Sequence, residues 1–171
     1  MPARVQTYGL GPDPKIRKLQ SRLVMLFQLV MPGILVSVCV VIHALVMTAL
    51  LGRLSRSAKP TRFYFLFSTW VLIRVTLWIL SAHLLEIGIW AHFFAWQQVF
   101  PDFKTAFYFS AVTYTTVGYG DLVLPEPWRL LAGVEGLTGI LMCGWSTGVF
   151  FAVISRMYFA KTTEVEARGR R

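Results

Sequence analysis

A chain of 171 residues that is 56% hydrophobic, with a mean hydropathy of +0.58, is too apolar for an ordinary soluble domain and reads as a single membrane domain. Its net charge of +9 invites a nucleic-acid reading. The basic residues, however, gather at the ends of apolar runs rather than on one amphipathic face, which excludes nucleic acid as a partner in favour of membrane lipid.

Taken in order, residues 1–23 form a basic arm with Arg4, Lys15, Arg17 and Lys18, expected to be flexible with a short surface helix from Lys15 onward. Residues 24–51 contain no Asp, Glu, Lys or Arg, and the run exceeds the roughly 20 residues that a helix needs to cross the hydrocarbon. This run starts too late and is too long for a cleavable signal peptide. Pro32-Gly33 marks a kink or the true start of the span, and Cys39 reads as a packing residue, as does Cys143 further on. His43 is the only ionisable group of the run and is expected to bond to a neighbouring helix. Residues 52–62 carry Arg53, Arg56, Lys59 and Arg62, a density that predicts a cytoplasmic loop.

A second spanning helix is expected over 63–96, with Arg74 within snorkelling range of the interface. His83 and Glu86 are three residues apart and so share one helical face. Ionisable groups at membrane depth need partners, and Glu135 of the last helix is the expected one, making a buried polar cluster of His83, Glu86 and Glu135. A short helix over 102–115 follows, with Asp102 as its N-cap. It is too short to cross and suits a re-entrant segment, tolerable at membrane depth only where it is buried in protein and lines water. The last span, 129–159, holds Gly133, Gly136, Gly139, Gly144 and Gly148, whose default use is close helix packing. A short basic tail, 160–171, ends the chain.

Between the short helix and the last span lies Thr115-Thr116-Val117-Gly118-Tyr119-Gly120-Asp121. Successive main-chain carbonyls replace a cation's water shell only if they point to one axis, which requires alternating left- and right-handed dihedrals. Glycine visits the left-handed region almost freely, and Gly118 and Gly120 are spaced by two. Val117 and Tyr119 then turn outward to pack, and the Thr116 hydroxyl sits at the inner mouth. One loop gives one wall, so four copies must surround the axis.

Thr116 to Gly120 resembles the potassium-channel selectivity-filter signature. Residues 63–159 look like the pore module of small bacterial two-helix potassium channels, with one additional N-terminal transmembrane helix in front. The fold expected is thus all-α: three transmembrane helices, a re-entrant pore helix and a filter, assembled as a homotetramer in the cell membrane. The resemblance implies potassium ions bound by the carbonyls of Thr116, Val117, Gly118 and Tyr119, with Gly120 closing the filter. It further implies support from Thr115 and from Asp121 braced against Tyr108, where many relatives have tryptophan, and a hinge at Gly139. Val112 stands where some relatives have glutamate, so this part of the brace must differ. Because the filter of such channels lies near the outer face, the resemblance also places the N-terminus outside. The function implied is passive potassium conduction without cofactor or covalent chemistry. The alternatives are a weakly selective cation pore and a non-conducting scaffold or regulatory subunit.

Overall fold

The computed structural model describes the backbone of residues 14–56 and 64–169, and the side chains of residues 26, 27, 30–53 and 69–156. Residues 1–13, 57–63 and 170–171, and with them parts of the expected arm, basic loop and tail, lie outside the described residues. Four α-helices follow in order: α1 (Pro14–Arg56), α2 (Tyr64–Trp96), α3 (Phe103–Tyr114) and α4 (Arg129–Gly169), with a 3₁₀ turn at Glu126–Trp128 before α4. Three of these contain stretches long and apolar enough to cross a membrane, Val30–Arg53, Thr69–Trp96 and Glu126–Arg156. The protein is therefore an all-helical, multi-pass membrane protein.

Three boundaries differ from the sequence reading. Residues 14–23 are not a separate arm but the first turns of α1, residues 52–56 of the expected loop are its last turn, and the tail from 160 to 169 continues α4 without a break. The first and last of these stretches are rich in Lys, Arg, Gln, Leu, Ala and Glu, good helix formers, and neither has an internal glycine or proline to stop a helix already nucleated next door. At 12 residues, α3 is about 18 Å long at 1.5 Å per residue, well short of the hydrocarbon thickness.

α2 ends where Gln98 adopts a left-handed φ of 55°. The amides of Gln98 and Val99 turn back to the carbonyls of Ala95 and Phe94, the double bond that closes a helix and reverses the chain toward α3. α1 packs on both α2 and α4. Phe27 meets Trp128 edge-on at 6.4 Å, whereas Arg53 lies over the Trp78 ring at 4.7 Å. α1 thus runs antiparallel to α2, its first half beside the start of α4.

Lipid is as apolar as leucine, so burial alone drives little here and shape and ring geometry matter more. α3 is seated by Phe109, whose ring meets Phe94 edge-on at 5.6 Å and Phe100 at 5.0 Å. Each such aromatic pair is worth about 0.5–1.5 kcal/mol beyond its area. Trp90, Ala91, Ala106 and Leu131 fill the space around it. A second cluster, with Met47, Leu50, Val75, Ala82, Val149 and Val153, joins α1, α2 and α4 at the other end.

Candidate functional site

The start of α3 is fixed by Asp102, whose extended backbone (φ −151°, ψ 161°) lets its carboxylate cap the helix. The amide of Thr105 donates to Asp102 Oδ1 at 2.8 Å and the Thr105 hydroxyl to Oδ2 at 2.9 Å. These bonds, the Thr105 amide foremost, hold the Asp102 carboxyl below the usual carboxylate range.

The end of α3 passes directly into the glycine-rich segment. The Thr116 amide donates to the Thr113 carbonyl at 2.9 Å, and the amides of Val117 and Gly118 both donate to the Val112 carbonyl, at 3.0 and 3.2 Å. The segment hangs from α3 by its amides. Among the described hydrogen bonds outside the helices, none uses a carbonyl of residues 116–120. Gly118 and Gly120 take left-handed φ values of 54° and 78°, and Thr116 takes 62°. The alternation by two therefore begins one step earlier than the glycines indicate. A β-branched residue is a rare occupant of that region, at a cost of about 1–3 kcal/mol. Counting back by two from Gly118 was the available signal for Thr116, and residue preference argued against it.

The Tyr108 hydroxyl donates to Asp121 Oδ2 at 2.8 Å, tying α3 to the residue after the segment, and that bond raises the Tyr108 phenol above its ordinary value. The Thr115 hydroxyl donates back to the Ala111 carbonyl at 2.6 Å, within its own helix. Val117 and Tyr119 are 52% and 71% exposed in a single chain. Behind the segment, α4 crosses the end of α3 at Gly139: a Cβ placed there would lie 1.8 Å from the Tyr114 carbonyl oxygen. Gly139 is thus a point of close helix approach, within an unbroken α4.

Tyr114 also belongs to a polar cluster that only partly matches the one expected. Glu86 is fully buried and accepts from the Tyr114 hydroxyl, and its other oxygen lies 2.8 Å from His43 Nδ1. His83 Nδ1 lies 3.1 Å from the Tyr114 hydroxyl, and its Nε2 lies 3.0 Å from Ser146 Oγ, which is 3.2 Å from His43 Nε2. His83 and Glu86 do share a face, and His43 does bond to a neighbouring helix. Glu135 does not join them. Its carboxylate is buried on another part of α4, where it interacts with Ser110 of α3, yet neither group closes a hydrogen bond of ordinary geometry. Spacing along α2 set the face of His83 and Glu86, but could not say which of three facing helices would present its polar groups there.

A short helix that cannot cross, a left-handed alternating segment hung from its end, and a long apolar helix packed against both make one continuous unit. Residues 78–156 match the family model of the ion channels. The match covers just under half the chain. The ion-channel segment takes in most of α2, all of α3, residues 115–128 and α4 as far as Arg156. α1 lies outside it, so His43 reaches into the matched segment from a helix that the family model does not include. No curated protein and no solved structure matches the chain.

Proposed function

We propose that the chain is one quarter of a potassium-selective channel, a homotetramer in which the carbonyls of Thr116, Val117, Gly118 and Tyr119 and the Thr116 hydroxyl replace the water shell of potassium. The observation that carries this reading is the left-handed φ at Thr116, Gly118 and Gly120, alternating by two. Carbonyls that take no part in the described hydrogen bonds are available to a cation, whereas the amides of the same segment are taken by α3. The negative end of the α3 dipole adds to the attraction of a cation below them. Ions pass by knock-on between adjacent sites, down their gradient and without a cofactor.

The exposure of Val117 and Tyr119 fits a ring of four, since these side chains find their packing in neighbouring copies. Leu130, Leu137, Ile140, Leu141 and Phe151 of α4 are exposed in one chain as well, and supply apolar surface for those neighbours and for lipid. In this reading the Arg53 end of α1 lies toward the cytoplasmic side and its Phe27 end toward the outer side, because Phe27 sits beside Trp128 near the filter mouth. Gly139 serves as packing point and as the residue about which α4 bends.

A second reading, a weakly selective cation pore, draws on Val112. With an apolar side chain there, the Tyr108 to Asp121 bond is the side-chain brace described at the filter. Flux through purified protein in liposomes, driven by a potassium gradient and repeated with sodium, separates the two. Potassium flux far above sodium flux is expected. Equal flux of both ions moves the assignment to the loose filter, and no flux, together with no protection of the assembly from heat by barium, overturns both.

A further inference from the structure

The polar groups at the meeting point of α1, α2, α3 and α4 form a closed ring. Its five contacts run from Glu86 Oε1 to His43 Nδ1, from His43 Nε2 to Ser146 Oγ, from there to His83 Nε2, from His83 Nδ1 to the Tyr114 hydroxyl, and back to Glu86 Oε2. A hydrogen bond needs one proton, so five contacts need five. With Glu86 ionised and both histidines neutral, the ring holds only four: one each on His43, Ser146, His83 and Tyr114. The fifth must come from solution.

With it, every contact closes. Tyr114 and His43 donate to Glu86, Ser146 donates to His43, and a doubly protonated His83 donates to both Ser146 and Tyr114. The net charge is then zero. Without the fifth proton one contact is two facing lone pairs, and a net charge of −1 is left at Glu86, which is 0% exposed. His43 and His83 stand near the middle of the stretches Val30–Arg53 and Thr69–Trp96, at the depth where an uncompensated charge costs most.

We propose that this ring is a buried binding site for a single proton, and that the bound proton ties α1 to the end of the pore helix. Other titratable groups facing the ring are Cys39 of α1 and Cys143 of α4, both within electrostatic reach of Glu86. Trp145 of α4 covers His43 with ring centroids 5.3 Å apart. Among the described residues no lysine or arginine forms an ion pair with Glu86, so the compensating charge is the proton itself. A divalent transition metal is the rival occupant, because nitrogen and oxygen atoms of His43, His83 and Glu86 lie within 4.8 Å of one another. The ring's own hydrogen bonds already engage those side chains, so it closes without a metal.

The effect on conduction rests on the pore reading above, because Tyr114 immediately precedes the Thr115–Asp121 segment. The test reads no flux, so the ring can fail while potassium flux stands, and the reverse. Thermal unfolding of the purified full chain is followed from about pH 7 to pH 10, above the range, about 6.5, where unfolded histidines take up protons, beside Glu86→Gln. A glutamine accepts from His43 and donates to Tyr114, and the ring then closes with neutral groups and no added proton. Wild type is expected to lose up to about tenfold in its folding equilibrium per pH unit while the folded ring still holds a proton that the unfolded chain has released, and to level off once that proton leaves. Glu86→Gln is expected to stay flat over the same range. Equal slopes in both proteins overturn the proposal.

A second measurement needs no variant. Nitrogen-15 NMR of the wild-type histidines is expected to show His43 and His83 responding together at one shared midpoint, as coupled groups do. Independent midpoints for His43 and His83 overturn the single-proton ring. So does stoichiometric binding of cobalt(II) with the visible absorption of tetrahedral coordination and a raised melting temperature.

Discussion

The segment from Thr116 to Gly120 and the ring around Glu86 lie on either side of Tyr114, yet they are built on opposite plans. The ring uses side chains from four helices, is largely buried with only His83 part-exposed, and is complete within one chain. The segment uses backbone, is exposed along its length, and leaves its carbonyls outside the described hydrogen bonds. Side chains can converge on a point inside one protomer, whereas a strand of backbone offers only one wall and depends on symmetry for the rest. Damage to the segment should therefore appear as lost conduction with the fold intact, and damage to the ring as lost stability.

The largest effect should come from Gly118→Ala. A Cβ at Gly118 meets nothing within 4 Å in a single chain, so the harm comes from the left-handed φ of 54°, which L-residues avoid, and not from a clash. We expect potassium flux in liposomes to vanish while the assembly survives on size-exclusion chromatography. Selective flux at wild-type level would break the comparison at its first point.

His43→Leu strikes the other plan. It removes one partner of a fully buried carboxylate, a loss worth about 3 kcal/mol. A melting temperature lowered by several degrees, with the ratio of potassium to sodium flux unchanged, is the expected result; altered ion selectivity would show that ring and segment are not separable. Gly139→Ala should cost less, about 1–3 kcal/mol, as α4 is pushed off the Tyr114 carbonyl. It sharpens the comparison because Tyr114 belongs to the ring and abuts the segment, so both melting temperature and flux should fall together.

The smallest effect belongs to Asp102. Its folded carboxyl titrates below the ordinary value near 3.9, so its capping stabilises the fold above that pH and is lost as pH falls through the lower, folded value. Asp102→Ala should lower the melting temperature slightly at neutral pH and leave it unchanged in strong acid, where the wild-type carboxyl is protonated too.

The two plans also differ in how far they could be read from sequence. Backbone geometry writes itself into the chain locally: Gly118 and Gly120 announce the alternation, Asp102 announces the cap, and the uncharged run around His43 announces a spanning helix. The ring is written non-locally. His43 and Glu86 are 43 residues apart, and Ser146 lies 103 residues from His43. The face shared by His83 and Glu86 was legible, but Glu135 was a better guess on charge than Ser146 and Tyr114, which won on position. Thr116 shows the converse limit, a local geometry that the residue's own preference hides.

One consequence follows from the Val112 carbonyl, which accepts the amides of both Val117 and Gly118. No codon can delete a peptide oxygen, and proline, which does remove a peptide hydrogen, also locks φ and adds a ring, so a library of side-chain variants would score Val112 and Val117 largely by size and shape and blur what suspends the strand. A change to the main chain itself, an ester in place of the amide at Val117, would remove that hydrogen and leave the side chain as it is.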